Sequence, residues 1–513
     1  MNFHRLLPAL LLGGCTTLGP NFTAPGWSGP ESWFGGAKQR APVSETVQAP
    51  IDPDWWTLFK DPTLTALERR VASENIDLAI AARRIEESRA QYAIAAAAGL
   101  PSINGNASYT RQKASNVGVF ANAPNPLGAS GISGSTAGGL GSHKLNAFDA
   151  YQVGFTASWE LDLWGQIRRQ VEAASATTQA SEETRRGLLL TNLAEVARDY
   201  ITLRGVQTDL RIARDNVKIA EDSLKLTQQR AAGGVTTNLD VSNALAQLST
   251  TLAQIPALEQ QEAQLINALS LLLGMPPNGL RAELQSPHTV PPVPPRVPVG
   301  LPSELARRRP DVREAEANLH AATADIGVAE AAFYPSITLS GSAGLQAIQF
   351  APLFGFNARQ FALGPTLSVP IFEGGQLTGN LHLTEARQKE AALAYQLTVL
   401  TALHEVDNAL TAYRSEQQRR QQLIDAVAEN SRALDLAKAR YAQGVENFLT
   451  VLDTQRTLLS NELLLSDSTT TVSANLVALY KALGGGWEAD LPEAKPDGTK
   501  QAGPGPTPPS PKI

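Results

Sequence analysis

Between positions 151 and 163 every odd residue is apolar (Tyr151, Val153, Phe155, Ala157, Trp159, Leu161, Leu163), while the even ones are Gln152, Gly154, Thr156, Ser158, Glu160 and Asp162. A two-residue period sends successive side chains to opposite faces, so this segment is predicted to be a strand with one greasy and one wet face. The same alternation runs through 103–109, 337–345 and 361–371, giving four strands in two hairpin-like pairs. A soluble sandwich would need many more strands than these. No run of 18 or more apolar residues exists elsewhere, so a membrane crossing must use the strands, which need about 9–11 residues each. Four strands cannot close a barrel, and an open edge in lipid leaves backbone groups unsatisfied. Spanning therefore requires an oligomer, with eight strands from a dimer or twelve from a trimer.

A second pattern follows each strand pair. Segments 166–230 and 376–442 run without proline and are rich in Ala, Leu, Glu, Gln and Arg, all good helix formers. At about 1.5 Å per residue each is near 100 Å long, beyond the span of a globular domain. In the second, Val399, Leu403, Val406, Leu410, Tyr413, Ile424, Val427, Leu434 and Tyr441 lie on an alternating four-three seam, interrupted by Gln417 and Arg420. That is coiled-coil periodicity and predicts helices packed side by side. The turns 231–238 and 443–447 carry glycine suited to a helix stop, and each leads into a further helix, to Leu273 and Leu483. Segments 64–98 and 303–333 read as helices of about half that length.

The chain is written twice. Gly154, Thr156, Ser158, Gly165 and Gln166 recur 210 positions later as Gly364, Thr366, Ser368, Gly375 and Gln376, and Arg230, Gly234, Val235, Leu239 and Val241 recur as Arg440, Gly444, Val445, Leu449 and Val451. Upstream, Pro101-Ser102-Ile103 matches Pro335-Ser336-Ile337 at a shift of 234, so the first half holds an insertion, placed in the Gly/Ser/Asn-rich stretch 116–142 and read as a surface loop. The predicted organisation is a leader (1–14), an N-terminal segment (15–62), a first repeat (63–274), a Pro-rich connector (275–302), a second repeat (303–486) and a disordered tail (487–513).

Composition narrows the chemistry. With 43 Lys+Arg against 49 Asp+Glu among 513 residues, the net charge of −6 offers no basic field for a polyphosphate backbone, and nucleic acid is excluded as a partner. One cysteine excludes a disulfide framework, and the six histidines show no metal-binding spacing. No Ser/His/Asp arrangement or supported carboxylate pair is present, which points away from an enzyme. Gly484-Gly485-Gly486 lacks the lysine and hydroxyl of a phosphate loop and reads as a helix stop. Arg307-Arg308-Arg309 reads as a solvated basic face. The sole cysteine, Cys15, follows Arg5, the apolar run 6–12 and Gly13-Gly14, which is the pattern of a lipobox. Acylation there would give S-diacylglycerol and N-palmitoyl groups on Cys15, a permanent anchor to outer-membrane lipid, with Thr16 favouring outer-membrane sorting. No other cofactor is expected.

Gly19-Pro20-Asn21-Phe22 with Pro25, the run Asp54-Trp55-Trp56-Thr57-Leu58-Phe59-Lys60-Asp61-Pro62-Thr63-Leu64, Arg308-Arg309-Pro310-Asp311-Val312, Phe372-Glu373-Gly374-Gly375 and the ending Leu483-Gly484-Gly485-Gly486-Trp487 together resemble the lipidated outer-membrane factors of tripartite efflux pumps, the TolC/OprM/NodT family. The resemblance implies an α+β membrane protein. Its homotrimer would form a twelve-stranded transmembrane β-barrel, four strands per chain, continued by a long periplasmic coiled-coil barrel. It implies a passive exit duct for small molecules, partnered by a periplasmic adaptor and an inner-membrane pump of the RND type. By motif alignment Asp240 and Tyr441 resemble a hydrogen-bonded pair tying neighbouring coils together, and Leu449 and Asp453 resemble the apolar and acidic rings of a constriction. From the residues alone, Leu449 could equally pack in the seam and Asp453 be a solvated helix residue. Gly234, Val235, Thr236, Gly444, Val445 and Glu446 are the candidate adaptor contacts, with helix termination as the alternative role of the glycines. Glu446 and Thr450 depart from relatives that carry Arg and Asp there. The rival functions are the channel of a type I protein secretion system and a coiled-coil envelope lipoprotein without a channel.

Overall fold

The computed structural model describes residues 17–26, 44–113 and 147–489. The leader, Cys15, the 116–142 insertion and the tail beyond 489 lie outside the described residues. In chain order the elements are β1 (Glu45–Val47), α1 (Pro62–Glu74), α2 (Ile76–Ala97), β2 (Ser102–Gln112), β3 (Phe148–Leu161), α3 (Gln166–Ala232), α4 (Asn238–Leu272), α5 (Arg281–Leu284) and β4 (Arg296–Pro298). They continue with α6 (Leu305–Arg308), α7 (Pro310–Ala331), β5 (Ser336–Ala347), β6 (Arg359–Ser368), α8 (Gln376–Ala442) and α9 (Phe448–Ala482). No helix among the described residues is long and apolar enough to cross a membrane.

The chain divides into two compact units, the first built from Met1–Phe22, Arg89–Ser175 and His320–Gln388. Its centre is an antiparallel sheet of order β2-β3-β5-β6. The register puts Ile103, Ala157, Gly341 and Leu363 in one row and Gly105, Phe155, Ala343 and Phe361 in the next, so the apolar positions of all four strands share a face. Asn104, Thr156, Ser342 and Ala362 form a row of the opposite, polar face. Among the described residues the apolar face is exposed, Phe361 by 88% and Leu363 by 79%. The last strand stops at Ser368 rather than 371, because Pro370 has no N–H to give a ladder. Pro365 lies within β6, opposite Leu339 of β5.

In the same unit Arg169 explains the Gly19-Pro20-Asn21-Phe22 motif. Its guanidinium donates to the Leu18 carbonyl (2.9 Å), the Gly19 carbonyl (3.2 Å) and Asn21 Oδ1 (2.8 Å), and pairs with Glu172 at 2.7 Å. Glu172 also meets His320 Nε2 at 2.9 Å, and Phe22 stacks on the His320 ring at 4.3 Å. Burial pushes the Glu172 carboxyl up, but the His320 and Arg169 hydrogen bonds outweigh it and hold it below the usual carboxylate range.

The second unit comprises Thr23–Ser88, Ala176–Leu319 and Lys389–Ile513. Its core gathers Trp55, Trp56, Phe59, Leu64, Tyr200, Val406, Tyr413, Leu476 and Tyr480, all essentially inaccessible to water. Trp55 stacks on Tyr480 at 5.4 Å and donates to the Gly485 carbonyl at 3.1 Å, which ties the Asp54–Phe59 motif to the glycines after α9. Asp61 caps α1 through Thr63 and Leu64 and accepts the Tyr200 hydroxyl at 2.8 Å. Burial is the main reason that the Tyr200 phenol is pushed up to about 12. The Pro-rich connector contains a four-residue helix, α5, and the short strand β4, which pairs in parallel with β1.

Three expectations need correction here. The predicted 64–98 helix is two helices, because Asn75 turns extended and uses its side chain to accept from Leu78 N at 3.0 Å and donate to the Leu272 carbonyl at 2.8 Å. The 303–333 helix likewise breaks at Arg309, whose extended backbone is enforced by the following Pro310. Arg309 is not solvated: it is buried, donates to the Ala482 carbonyl at 2.7 Å and pairs with Asp311 and Glu405 at 2.7 Å each. The polar interruptions of the seam are also engaged, Gln417 accepting from Ser44 N (2.9 Å) and Arg420 donating to Thr469 (2.9 Å).

Candidate functional site at the helical hairpin tips

Both hairpins of the second unit turn by the same local chemistry. At the end of α3, Val235 N donates back to the Arg230 carbonyl (2.9 Å) and Gly234 N to the Ala231 carbonyl (3.0 Å). At the end of α8, Val445 N donates to the Arg440 carbonyl (3.0 Å) and Gly444 N to the Tyr441 carbonyl (3.0 Å). Each loop closes through a left-handed glycine, Gly234 at φ 72° and Gly444 at φ 79°, a geometry that a Cβ penalises. The consequence is that Val235 and Val445 project into solvent, 64% and 65% exposed. Thr236 sits beside Val235, its hydroxyl turned inward to the Asp240 carboxylate.

Beneath the tips lies a small core of Ala244, Leu434, Ala437, Tyr441, Phe448, Val451, Leu452 and Leu458. Tyr441 is buried there, 5.5 Å from the Phe448 ring, and its hydroxyl has no hydrogen-bond partner among the described residues. The expected Asp240–Tyr441 hydrogen bond is therefore absent within the chain, Asp240 being satisfied by Thr236 one helical turn before it. Leu449 and Asp453 stand one turn apart on α9, on the face opposite Phe448, Val451, Leu452 and Gln455. Leu449 is 58% exposed and Asp453 is also exposed, so within the chain neither packs in the seam.

Glu446 is occupied locally. Its carboxylate accepts from the Thr450 hydroxyl (3.0 Å) and the Asn447 amide (3.3 Å) and lies 3.6 Å from Arg440 Nε. Asn447 in turn caps α9 by accepting from Thr450 N at 3.0 Å. The two positions that depart from the resembled family thus satisfy each other.

Arg230 was given no role by the sequence, yet it joins the two hairpins. Its Nη1 donates to the carbonyls of Tyr441 (2.7 Å) and Ala442 (3.0 Å), and its guanidinium lies 4.6 Å above the Tyr441 ring. It neutralises the negative end of α8, where unpaired carbonyls gather. The signal that could have found it is the repeat itself, because Arg230 and Arg440 occupy equivalent positions in two turns of identical geometry. No group of three His, Cys, Asp or Glu side chains able to hold a metal occurs among the described residues.

A four-stranded sheet with an exposed apolar face, in a chain that also forms two hairpins of unusual length, is the make-up of a membrane-channel subunit. Comparison with known proteins gives the family. The family model described as outer membrane efflux protein matches residues 67–275 and 301–485. Outer membrane protein OprJ of Pseudomonas aeruginosa is 37% identical over 486 residues, covering 94% of this chain and 95% of OprJ. The solvent efflux pump outer membrane protein SrpC of Pseudomonas putida is 34% identical over 93% of this chain and 97% of its own length. Among solved structures, the outer-membrane channel OprN superposes with a TM-score of 0.82 at 32% identity, over 92% of this chain and 99% of OprN. The chain belongs to the outer membrane efflux protein family and acts as an efflux duct of the outer membrane.

Proposed function

We propose that the protein is the outer-membrane exit duct of a tripartite pump, working as a homotrimer with a periplasmic adaptor and an RND-type inner-membrane pump that supplies the energy and chooses small-molecule cargo. The trimer closes the sheet: β2 and β6 are edges of a sheet with a bare apolar face, and lipid does not tolerate unpaired edges. Cys15 carries the diacylglyceryl and palmitoyl groups that anchor the chain, and Cys15→Ser loses metabolic palmitate labelling if it does. Gly234, Val235, Thr236, Gly444, Val445 and Glu446 form the adaptor-docking tips, where two solvent-facing valines stand on backbone turns of the same shape.

The gate lies at Leu449 and Asp453, with Tyr441 beneath it as packing and Asp240 at the neighbouring tip. The observation that carries this is that Leu449, 58% exposed, and the exposed Asp453 stand one turn apart on the face of α9 turned away from the small core beneath the tips. Threefold rings of these side chains would narrow the duct with an apolar constriction that excludes water and an acidic one that repels anions. Planar-bilayer recording tests it: Asp453→Ala with Leu449→Ala raises single-channel conductance several-fold. Unchanged conductance in the double variant removes the gate from this position.

A further inference from the structure

On the sheet's apolar face, side chains change character toward the loop end, where β2 finishes and β6 begins. Along β2 the face runs Ile103, Gly105, Ala107, Tyr109 and then turns cationic at Arg111 and, one step on, Lys113. Along β6 the same face begins at Arg359 before Phe361 and Leu363. The turn after β5 adds exposed aromatic rings at this end: Phe350 packs on Tyr151 (5.6 Å), Phe354 packs on Phe350 (6.1 Å), and Arg359 stands 4.2 Å over the Phe356 ring. Among the described residues the face carries one carboxylate there, Asp149, already engaged by the Tyr109 hydroxyl (3.0 Å) and by Arg111 (3.7 Å). The loop-end face is therefore cationic as well as aromatic, and it is continuous with the apolar band that meets lipid.

Topology concentrates the charge. On the trimeric-duct reading, on which this inference rests, the β6 edge of one copy pairs with the β2 edge of the next. Both edges carry their cations at the loop end, so closure sets Arg359 on the strand beside Arg111 and Lys113 of the neighbouring copy. Like charges gathered on neighbouring strands oppose pairing unless an anion lies between them. Aromatic rings at the same end suit the boundary between acyl chains and headgroups.

We propose that this surface binds the phosphorylated headgroup of an outer-leaflet lipid, with Arg111, Lys113 and Arg359 holding phosphate and Tyr151, Phe350 and Phe354 seated at the acyl boundary. Each cation lies at the end of a strand, where a long side chain extends toward the headgroup layer while its stem stays on apolar surface.

The test uses the full chain purified in detergent, mixed with diphosphoryl lipid A or its dephosphorylated form and read by native mass spectrometry. The wild type retains the diphosphoryl lipid about tenfold more than the dephosphorylated one. The Arg111→Gln/Lys113→Gln/Arg359→Gln variant loses that preference while keeping trimer mass and bilayer conductance. Absence of preference in the wild type, or its persistence in the glutamine variant, overturns the site. The Arg111→Lys/Arg359→Lys variant keeps the charge and retains the preference, and its loss there would overturn the electrostatic assignment. Failure of the wild type to form a conducting trimer is a separate readout that strikes the duct reading instead.

Discussion

The two halves of the chain share their backbone and differ in how they use it. Helices α3 and α8 are both 67 residues long, and α4 and α9 are both 35. The tips close through equivalent glycines and equivalent hydrogen bonds. Yet Arg230 reaches out to the end of the other hairpin, while its counterpart Arg440 folds back on Glu446 in its own loop. Asp240 accepts from Thr236 four positions before it, whereas the counterpart Thr450 donates to Glu446, again four positions before it. Duplication preserved the geometry that glycine and hydrogen bonding dictate, and divergence fell on the side chains at the tips. The first hairpin reaches across to hold the end of its neighbour, while the second satisfies its loop from within.

The largest break in this comparison lies along the long helices. Gly205 of α3 is buried against Thr470 of α9, where a Cβ would come 2.9 Å from Thr470 Cγ2. Its counterpart 210 positions on, Ser415, is exposed. Gly205→Val should cost about 3 kcal/mol by overpacking, and Ser415→Val less than about 0.5 kcal/mol, as for other surface changes. Melting temperatures of the detergent-purified proteins measure both, and equal losses would mean that the two long helices pack alike.

Next in size is the arginine pair. Arg230→Ala removes two charge-assisted hydrogen bonds to helix-end carbonyls and a ring contact, an effect of about 2 kcal/mol. Arg440→Ala removes an exposed ion pair of about 0–1 kcal/mol. Hydrogen exchange over residues 441–450 should accelerate in the first variant and stay near wild type in the second. The reverse order would make Arg440 the fixed point of the tip.

How much of this was readable in the chain follows from where the information is local. Strand alternation, the proline-free helices and the turn glycines depend on near neighbours, so their positions were legible to within a few residues. The partners of Arg309 and Arg230 were not, since Ala482 and Tyr441 lie some 170 and 210 positions away and nothing in a basic run distinguishes a solvated arginine from one that caps a distant helix end. The family motifs marked Trp55 and Asp61 as important without saying why. The stacking on Tyr480 and the Tyr200 hydrogen bond supply the reason. Within the chain Asp240 accepts from Thr236 while the Tyr441 hydroxyl has no partner among the described residues, a local choice that alignment of the motif does not reveal.

A third contrast concerns the start of each half. The first begins with the 13-residue α1, whereas the second offers only the four-residue α6 at the equivalent place. Glu68 sits in α1, fully buried, with neither carboxylate oxygen hydrogen-bonded. Burial raises its carboxyl well above the ordinary value of 4.5. An acid that is harder to ionise folded than unfolded contributes its stability in full below 4.5 and loses it progressively as pH rises toward its folded value. Glu68→Leu should therefore stabilise the protein by about 1–2 kcal/mol at pH 8 and little at pH 4. A melting-temperature gain independent of pH would show that Glu68 ionises freely in the fold.

The smallest expected effect sharpens the shared part of the comparison. Gly234→Ala and Gly444→Ala each place a Cβ on left-handed backbone, at about 1 kcal/mol apiece. Space is not the cause at either position: a Cβ at Gly234 meets nothing within 4 Å, and one at Gly444 meets only Arg230 Nη2 at 3.7 Å. The backbone term is therefore the same in both halves, and the two melting temperatures should fall together. Any excess at Gly444 would come through Arg230, and it should vanish when Gly444→Ala is made in an Arg230→Ala background. A double-mutant cycle on that pair measures the coupling directly. A coupling near zero leaves the two turns equivalent, with the asymmetry of the tips carried by side chains alone. A large one would mean that Arg230 also holds the second turn in shape.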